Sequence, residues 1–132
     1  MPTRLASRNV YIAVGIGGMF GAVGRYSISV LMENRFLFPL ETLTANLIGC
    51  FLLSFLLNCL WLKKIVSPAI STGLTTGAIG AFTTFSTFAV ETLELATNHL
   101  LLSLIYVFIS IVGGILLCYL GYRLANIGQV TL

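Results

Sequence analysis

"GAFTTFSTF", residues 80–88, decides how this chain is read. It lies in a run from Ile65 to Val90 that carries no charged residue. That run is long enough to cross a bilayer, which takes ~20 predominantly apolar residues in a helix. Its middle, however, is glycine, threonine, serine and phenylalanine. Consecutive threonine and glycine weaken a helix through restricted χ1 freedom and backbone entropy. Serine and threonine hydroxyls also compete for nearby carbonyls. The pattern predicts a helix that breaks around residues 80–84 and restarts near 85. Non-helical backbone at membrane depth is tolerated only where it is buried in protein or lines a cavity, and at such breaks freed carbonyls can bind cations. The competing reading is a continuous helix with a threonine-rich packing face.

The rest of the chain fits a membrane protein. Its 132 residues are 58% hydrophobic and 8% charged, with a mean hydropathy of +1.02, which excludes an ordinary soluble domain. Four low-charge stretches, at about 10–32, 42–62, 69–97 and 100–122, approach or exceed the length of a span. The expected fold is therefore all-α, a single four-helix transmembrane domain over residues 1–132 with its third helix broken near the middle. The first stretch is too long and glycine-rich for a cleaved leader, and no small-residue cleavage site follows it before Glu33. The linkers "ENRFLFPLE", "KKIVSP" and "TNH" are too short for a folded catalytic unit, so function must lie between the helices. Cys50, Cys59 and Cys118 all sit in apolar runs and read as small hydrophobes.

The net charge is +3, but the positive residues are scattered and form no nucleic-acid-binding stripe. With four spans, Arg4, Arg8, Lys63, Lys64 and Arg123 share one side of the membrane. Arg35 stands on the other, once Arg25 is counted inside the first span. This bias favours cytoplasmic termini.

Each span carries small or polar residues at helical spacing. Gly17 and Gly21, and again Gly73 and Gly77, form GxxxG pairs that permit close helix packing. Arg25 lies about 10 Å from the Met32 end at helical rise; it either snorkels to the surface or meets carbonyls and water. Thr42 and Asn46 are four apart and share a face. Asn46 needs a partner if buried, and serves either as helix–helix glue or in a polar pathway. Pro68 suits the first turn of the third span. Phe85 and Phe88, three apart, share a face and are either core or path-lining; their positive ring edges can support a partly dehydrated anion. Hydroxyls and an amide N–H₂ add hydrogen bonds. A full cationic ligand would bind an anion too tightly for release, and conduction needs weak or multiple sites. Glu91 and Glu94 read as interfacial, with Glu91 the deeper. In the fourth span Tyr106 and Ser110 are four apart, with Gly114 one turn on.

"GGMFGAVGRY", "TLTANLIGC" and "GAFTTFSTF", in this order and spacing, resemble the Fluc/CrcB fluoride-channel family over nearly the whole chain. The resemblance implies a fluoride-selective channel, not an enzyme, in a prokaryotic inner membrane. It would export cytoplasmic fluoride passively as an antiparallel, dual-topology dimer with two anion pathways. It places Phe85, Phe88, Asn46, Thr42, Tyr106, Ser110 and Thr87 on the anion path. It assigns a structural Na⁺ at the dimer interface to the backbone carbonyls of Gly80 and Thr83. Arg25 and Glu91 match its vestibule or structural charges. Gly114 stands where a further serine of the polar track can occur, and Phe82 is not assigned to the path. Dual insertion conflicts with the five-to-one charge bias. Pairing with an oppositely biased homologue, rather than as a homodimer, is one resolution; weakly contributing termini are another.

Two other classes compete. A small proton-coupled exporter of cationic drugs needs a deep carboxylate in the first span, where the only charge is Arg25. A non-transporting assembly protein explains the glycines but not the polar line through Asn46 and Ser110.

Overall fold

A computed structural model describes residues 3–32 and 37–127. Arg35 lies outside the described residues, as do the side chains of Arg4 and Lys63, so the charge bias gains no structural account here. Among the described residues every regular element is helical: α1 (Thr3–Leu31), α2 (Leu40–Asn58), α3 (Leu60–Ile65), α4 (Pro68–Thr72), a π-helical stretch (Gly73–Ile79), α5 (Gly80–Phe82), α6 (Phe85–Asn98) and α7 (Leu100–Ile127).

Among the described residues three helices are long and apolar enough to cross a membrane: Arg8–Leu31, Leu40–Asn58 and Leu100–Ile127. The expected third span is composite, and none of its pieces reaches that length alone. The second helix ends sooner than the expected residue 62. Extended backbone at Cys59 (φ −75°, ψ 97°) turns the chain into the separate α3, which carries Trp61, Lys63 and Lys64. Few residues of the three spans are buried within the chain. Tyr11, Phe20, Leu31, Leu101 and Phe108 are among many large apolar side chains left exposed. In water so much apolar surface would be strongly unfavourable; against lipid it is expected.

Two close helix pairs organise the chain. α2 packs along α7, and α1 packs along the π-helical stretch and its flanking turns. The glycines set the second contact. A Cβ at Gly17 would collide with the Gly73 carbonyl, and one at Gly21 with the Ala78 carbonyl. One at Gly77 would lie 2.5 Å from the Val14 oxygen. Backbone thus meets backbone, as small-residue seams allow. The seam between α2 and α7 is similar, with a Cβ at Gly121 falling 2.5 Å from the Phe51 oxygen.

The composite span opens at Ser67, whose hydroxyl accepts from the Ile70 N–H, with Pro68 in the first turn as expected. The π-helical stretch follows; nothing in the sequence reading predicted it. The break is narrower than expected. Gly80–Phe82 remain helical because the Thr83 N–H still reaches the Ile79 carbonyl at 3.0 Å. Only Thr83 (φ −84°, ψ 158°) and Thr84 (φ −147°, ψ 127°) are extended. The uninterrupted-helix reading is therefore excluded. Thr84 then caps α6, its Oγ1 accepting from the Thr87 N–H at 3.2 Å.

Candidate functional site

The two-residue break is held by Asn46. Its Nδ2 donates to the Thr84 carbonyl at 2.9 Å, and its Oδ1 accepts from the Thr84 N–H at 2.8 Å. One side-chain amide thus replaces both ladder bonds of an extended residue. Backbone polar groups inside a bilayer must be satisfied within the protein, and this pairing does so for Thr84. Gly49, one turn further along α2, leaves room for the Thr83 methyl, which a Cβ there would strike. The sequence left Asn46 between glue and pathway; the structure shows the glue, with one Nδ2 hydrogen still to place.

The clamp changes the carbonyls nearby. In an unbroken helix Thr84 N–H would bond Gly80, and Thr87 N–H would bond Thr83. The first donates instead to Asn46 and the second to Thr84 Oγ1. Gly80 and Thr83 therefore lose the donors that helical geometry would give their carbonyls, and Gly80 is exposed. No group of three or more His, Cys, Asp or Glu able to hold a metal occurs among the described residues.

Beside the break lies a groove of about 450 Å³. Asn46, Phe85, Phe88 and Ser110 line it, together with Gly80 and Thr83. The Phe85 and Phe88 ring centroids are 6.1 Å apart at 44°. Phe88 also meets the Tyr106 ring at 5.1 Å, whereas Phe85 is 80% exposed. Phe82 turns away, its ring over Gly24 of α1, which settles its direction as packing.

Ser110 is the unusual member. Its Oγ is buried and has no hydrogen-bond partner. Other helical hydroxyls bond back to the carbonyl four residues earlier: Ser27 to Val23 at 2.9 Å, Thr75 to Ser71 at 2.9 Å and Thr92 to Phe88 at 2.7 Å. Ser110 does not. A buried, unsatisfied hydroxyl is unfavourable, and it leaves a donor free for a ligand.

Thr42 and Tyr106 stand elsewhere. Both hydroxyls donate to one carboxylate, Thr42 Oγ1 to Glu91 Oε1 at 2.8 Å and Tyr106 Oη to Glu91 Oε2 at 2.7 Å. Tyr106 is 0% exposed and Thr42 5%, and the Phe38 and Tyr106 rings meet nearly at right angles with centroids 5.4 Å apart. The sequence reading took Glu91 as interfacial and missed this triad. Three residues on separate helices gave it no common spacing. A second recess brings Arg25 together with Tyr26, Ser29, Glu41, Thr42, Thr84 and Thr87. Ser29 Oγ donates there to Glu41 at 2.7 Å. The sequence-predicted residues thus fall into three adjoining places rather than one line.

A family model described as "CrcB-like protein, Camphor Resistance (CrcB)" matches residues 12–122. The chain belongs to the CrcB family. Its relatives within that family include "Fluoride-specific ion channel FluC 1" of Bacillus cereus, 46% identical over 121 residues, 89% of this chain and 88% of the relative. The protein of the same name from Desulfitobacterium hafniense is 43% identical over 109 residues, 82% of this chain and 96% of the relative. "Fluoride-specific ion channel FluC 2" of Listeria innocua is 40% identical over 117 residues, 88% of this chain and 90% of the relative. The matched region of the CrcB family contains α2, α6 and the break between α5 and α6, and so the whole groove.

Proposed function

We propose that this chain is one subunit of a fluoride-selective channel that lets cytoplasmic fluoride leave down its electrochemical gradient. The CrcB relatives named for this activity support it, and the unpartnered Ser110 hydroxyl is the structural observation that carries the pathway. Fluoride is small and strongly hydrated, so a site that strips its water must supply donors in return. Ser110, Asn46, Phe85 and Phe88 line one groove, and a hydroxyl, a spare amide hydrogen and ring edges are the donors they can offer an anion. These groups hold an anion without a fixed positive charge, which favours release.

At the far side of Phe88 and Tyr106, the Glu91 carboxylate occupies the hydroxyls of Thr42 and Tyr106. Fluoride reaching this level exchanges with a carboxylate oxygen for those donors. Arg25, in the recess with Thr84 and Thr87, raises the local anion concentration.

The composite segment Pro68–Asn98 is the third of four spans, since its length in residues matches a crossing once the break is counted. Phe85 projects from its own subunit and needs a second copy, or an oppositely inserted homologue, to close the path around it. In an antiparallel dimer the exposed break of one chain meets that of its partner. The carbonyls of Gly80 and Thr83, released from helical donors, suit a hard cation such as Na⁺, which takes oxygen ligands. There the ion would neutralise the carbonyl dipoles and join the two breaks.

Expression in bacteria stripped of their own fluoride exporter tests the proposal. Growth in fluoride medium is expected to be restored by the chain and not by its Ser110→Ala variant. Failure of the wild-type chain, when present in the membrane, overturns it.

A further inference from the structure

The groove holds two groups that the anion path does not use. Cys50 of α2 and Cys118 of α7 both line it, although the sequence reads them as small hydrophobes. Cys118 Sγ donates to the Cys50 carbonyl at 3.3 Å. Independent geometry places the Cys50 sulfur on the same face of α7. A Cβ at Gly114, one turn before Cys118, would lie 3.4 Å from Cys50 Sγ. The seam around them is fixed by Ser54 Oγ, which donates to the Cys118 carbonyl at 2.7 Å. Both cysteines are free thiols.

We propose that Cys50 and Cys118 form a two-thiol site for a soft, linearly coordinating divalent metal ion, and that its occupancy blocks the groove. The blocking half of this inference rests on the channel reading; the binding half does not. Thiolate sulfur selects soft metals. Zinc sites are almost always four-coordinate, and no third or fourth ligand joins the pair among the described residues. Mercury(II) needs only the two. Its binding also suits the surroundings. Mercuric chloride and two thiols give a neutral dithiolate, two protons and two chloride ions, with the protons and chloride leaving to water. A monovalent ion held by two thiolates would leave a net negative charge among Leu53, Ile79 and Ile111, which burial disfavours. With metal–sulfur bonds of ~2.3 Å, as in other metal thiolates, the sulfurs stand about 4.6 Å apart. Rotation about each χ1 adjusts the pair to that spacing. The ion then sits in the same groove, about two turns along α7 from Ser110, in space shared with the proposed anion path.

The test uses the full chain with Cys59→Ser, which removes the third thiol and leaves the pair. Purified protein is treated with mercuric chloride, washed with excess monothiol and assayed for retained mercury. About one mercury per chain is expected. Adding Cys50→Ala or Cys118→Ala is expected to lower retention at least tenfold, because a single thiol cannot outcompete the wash. In liposomes the same treatment of Cys59→Ser is expected to cut fluoride efflux at least tenfold, with recovery on adding a dithiol. Retention unchanged by either alanine variant, or absent in Cys59→Ser, overturns the site. Retention with undiminished efflux overturns the block. Should the untreated protein carry no fluoride, the channel reading fails and the blocking claim with it, while the retained metal still decides the site.

Discussion

Ser110→Ala separates function from stability. The Ser110 hydroxyl is buried and unpartnered, so its removal deletes no hydrogen bond within the chain. A buried unsatisfied polar group costs roughly 1–3 kcal/mol. Alanine is also the better helix former by about half a kcal/mol. The variant is thus expected to be as stable as the parent or more stable, by up to about 2 kcal/mol after allowing for local relaxation. Transport moves the other way. A hydrogen bond to a charged group contributes about 1.5–3 kcal/mol, and each ~1.4 kcal/mol is tenfold in a rate. Efflux of fluoride should fall by about 10- to 100-fold if the anion uses this donor when it is least hydrated. Stability is followed by heating detergent-solubilised protein and measuring the fraction that still elutes as intact assembly. Transport is followed with a fluoride electrode outside loaded liposomes. Lowered stability with unchanged efflux would refute the reasoning, since the hydroxyl would then be a structural group with a partner in the assembly.

Asn46→Ala should lose both properties: removing two hydrogen bonds to Thr84 is expected to cost about 2–4 kcal/mol. Thermal elution profiles check the loss, and efflux should fall to the level of empty vesicles. Phe85→Ile and Phe88→Ile keep apolar bulk but remove the ring edge, so each should slow fluoride efflux while the elution peak of the intact assembly stays in place. Gly21→Val places its Cβ in the Ala78 backbone and should abolish the folded elution peak. Gly15→Ala meets nothing within 4 Å and should leave the peak in place, so loss of both would argue against the glycine seam.

The sequence made the main features of the chain legible through composition and local chemistry. Apolar stretches marked the helices, and the glycine pairs marked the seam between α1 and the π-helical stretch. The threonine pair marked the break, but the expected range was too wide at its start. Gly80–Phe82 stay helical because Thr83 keeps its bond to Ile79, a choice that local propensity does not decide. The π-helical turns left no sequence mark; glycine there signalled packing and not hydrogen-bond register. What stayed hidden depends on contacts between helices. Asn46 could be recognised as a buried amide, whereas its partner, the Thr84 backbone 38 positions away, required the fold. Glu91 looked interfacial because its neighbours in sequence are, yet the crossing of α2, α6 and α7 turns it onto Thr42 and Tyr106. The capping role of Thr84 was within reach, since a threonine three residues before the N–H it accepts is a common helix start. Cys50 and Cys118 stand 68 positions apart, and no spacing rule pairs them.

On the proposed function this groove passes fluoride and rejects larger halides. Purified protein reconstituted in liposomes, with efflux of fluoride and of chloride measured in parallel against empty vesicles, tests it most directly. Rapid fluoride efflux is expected, with chloride at the empty-vesicle rate. Equal rates for the two ions, or fluoride efflux no faster than from empty vesicles, would contradict it.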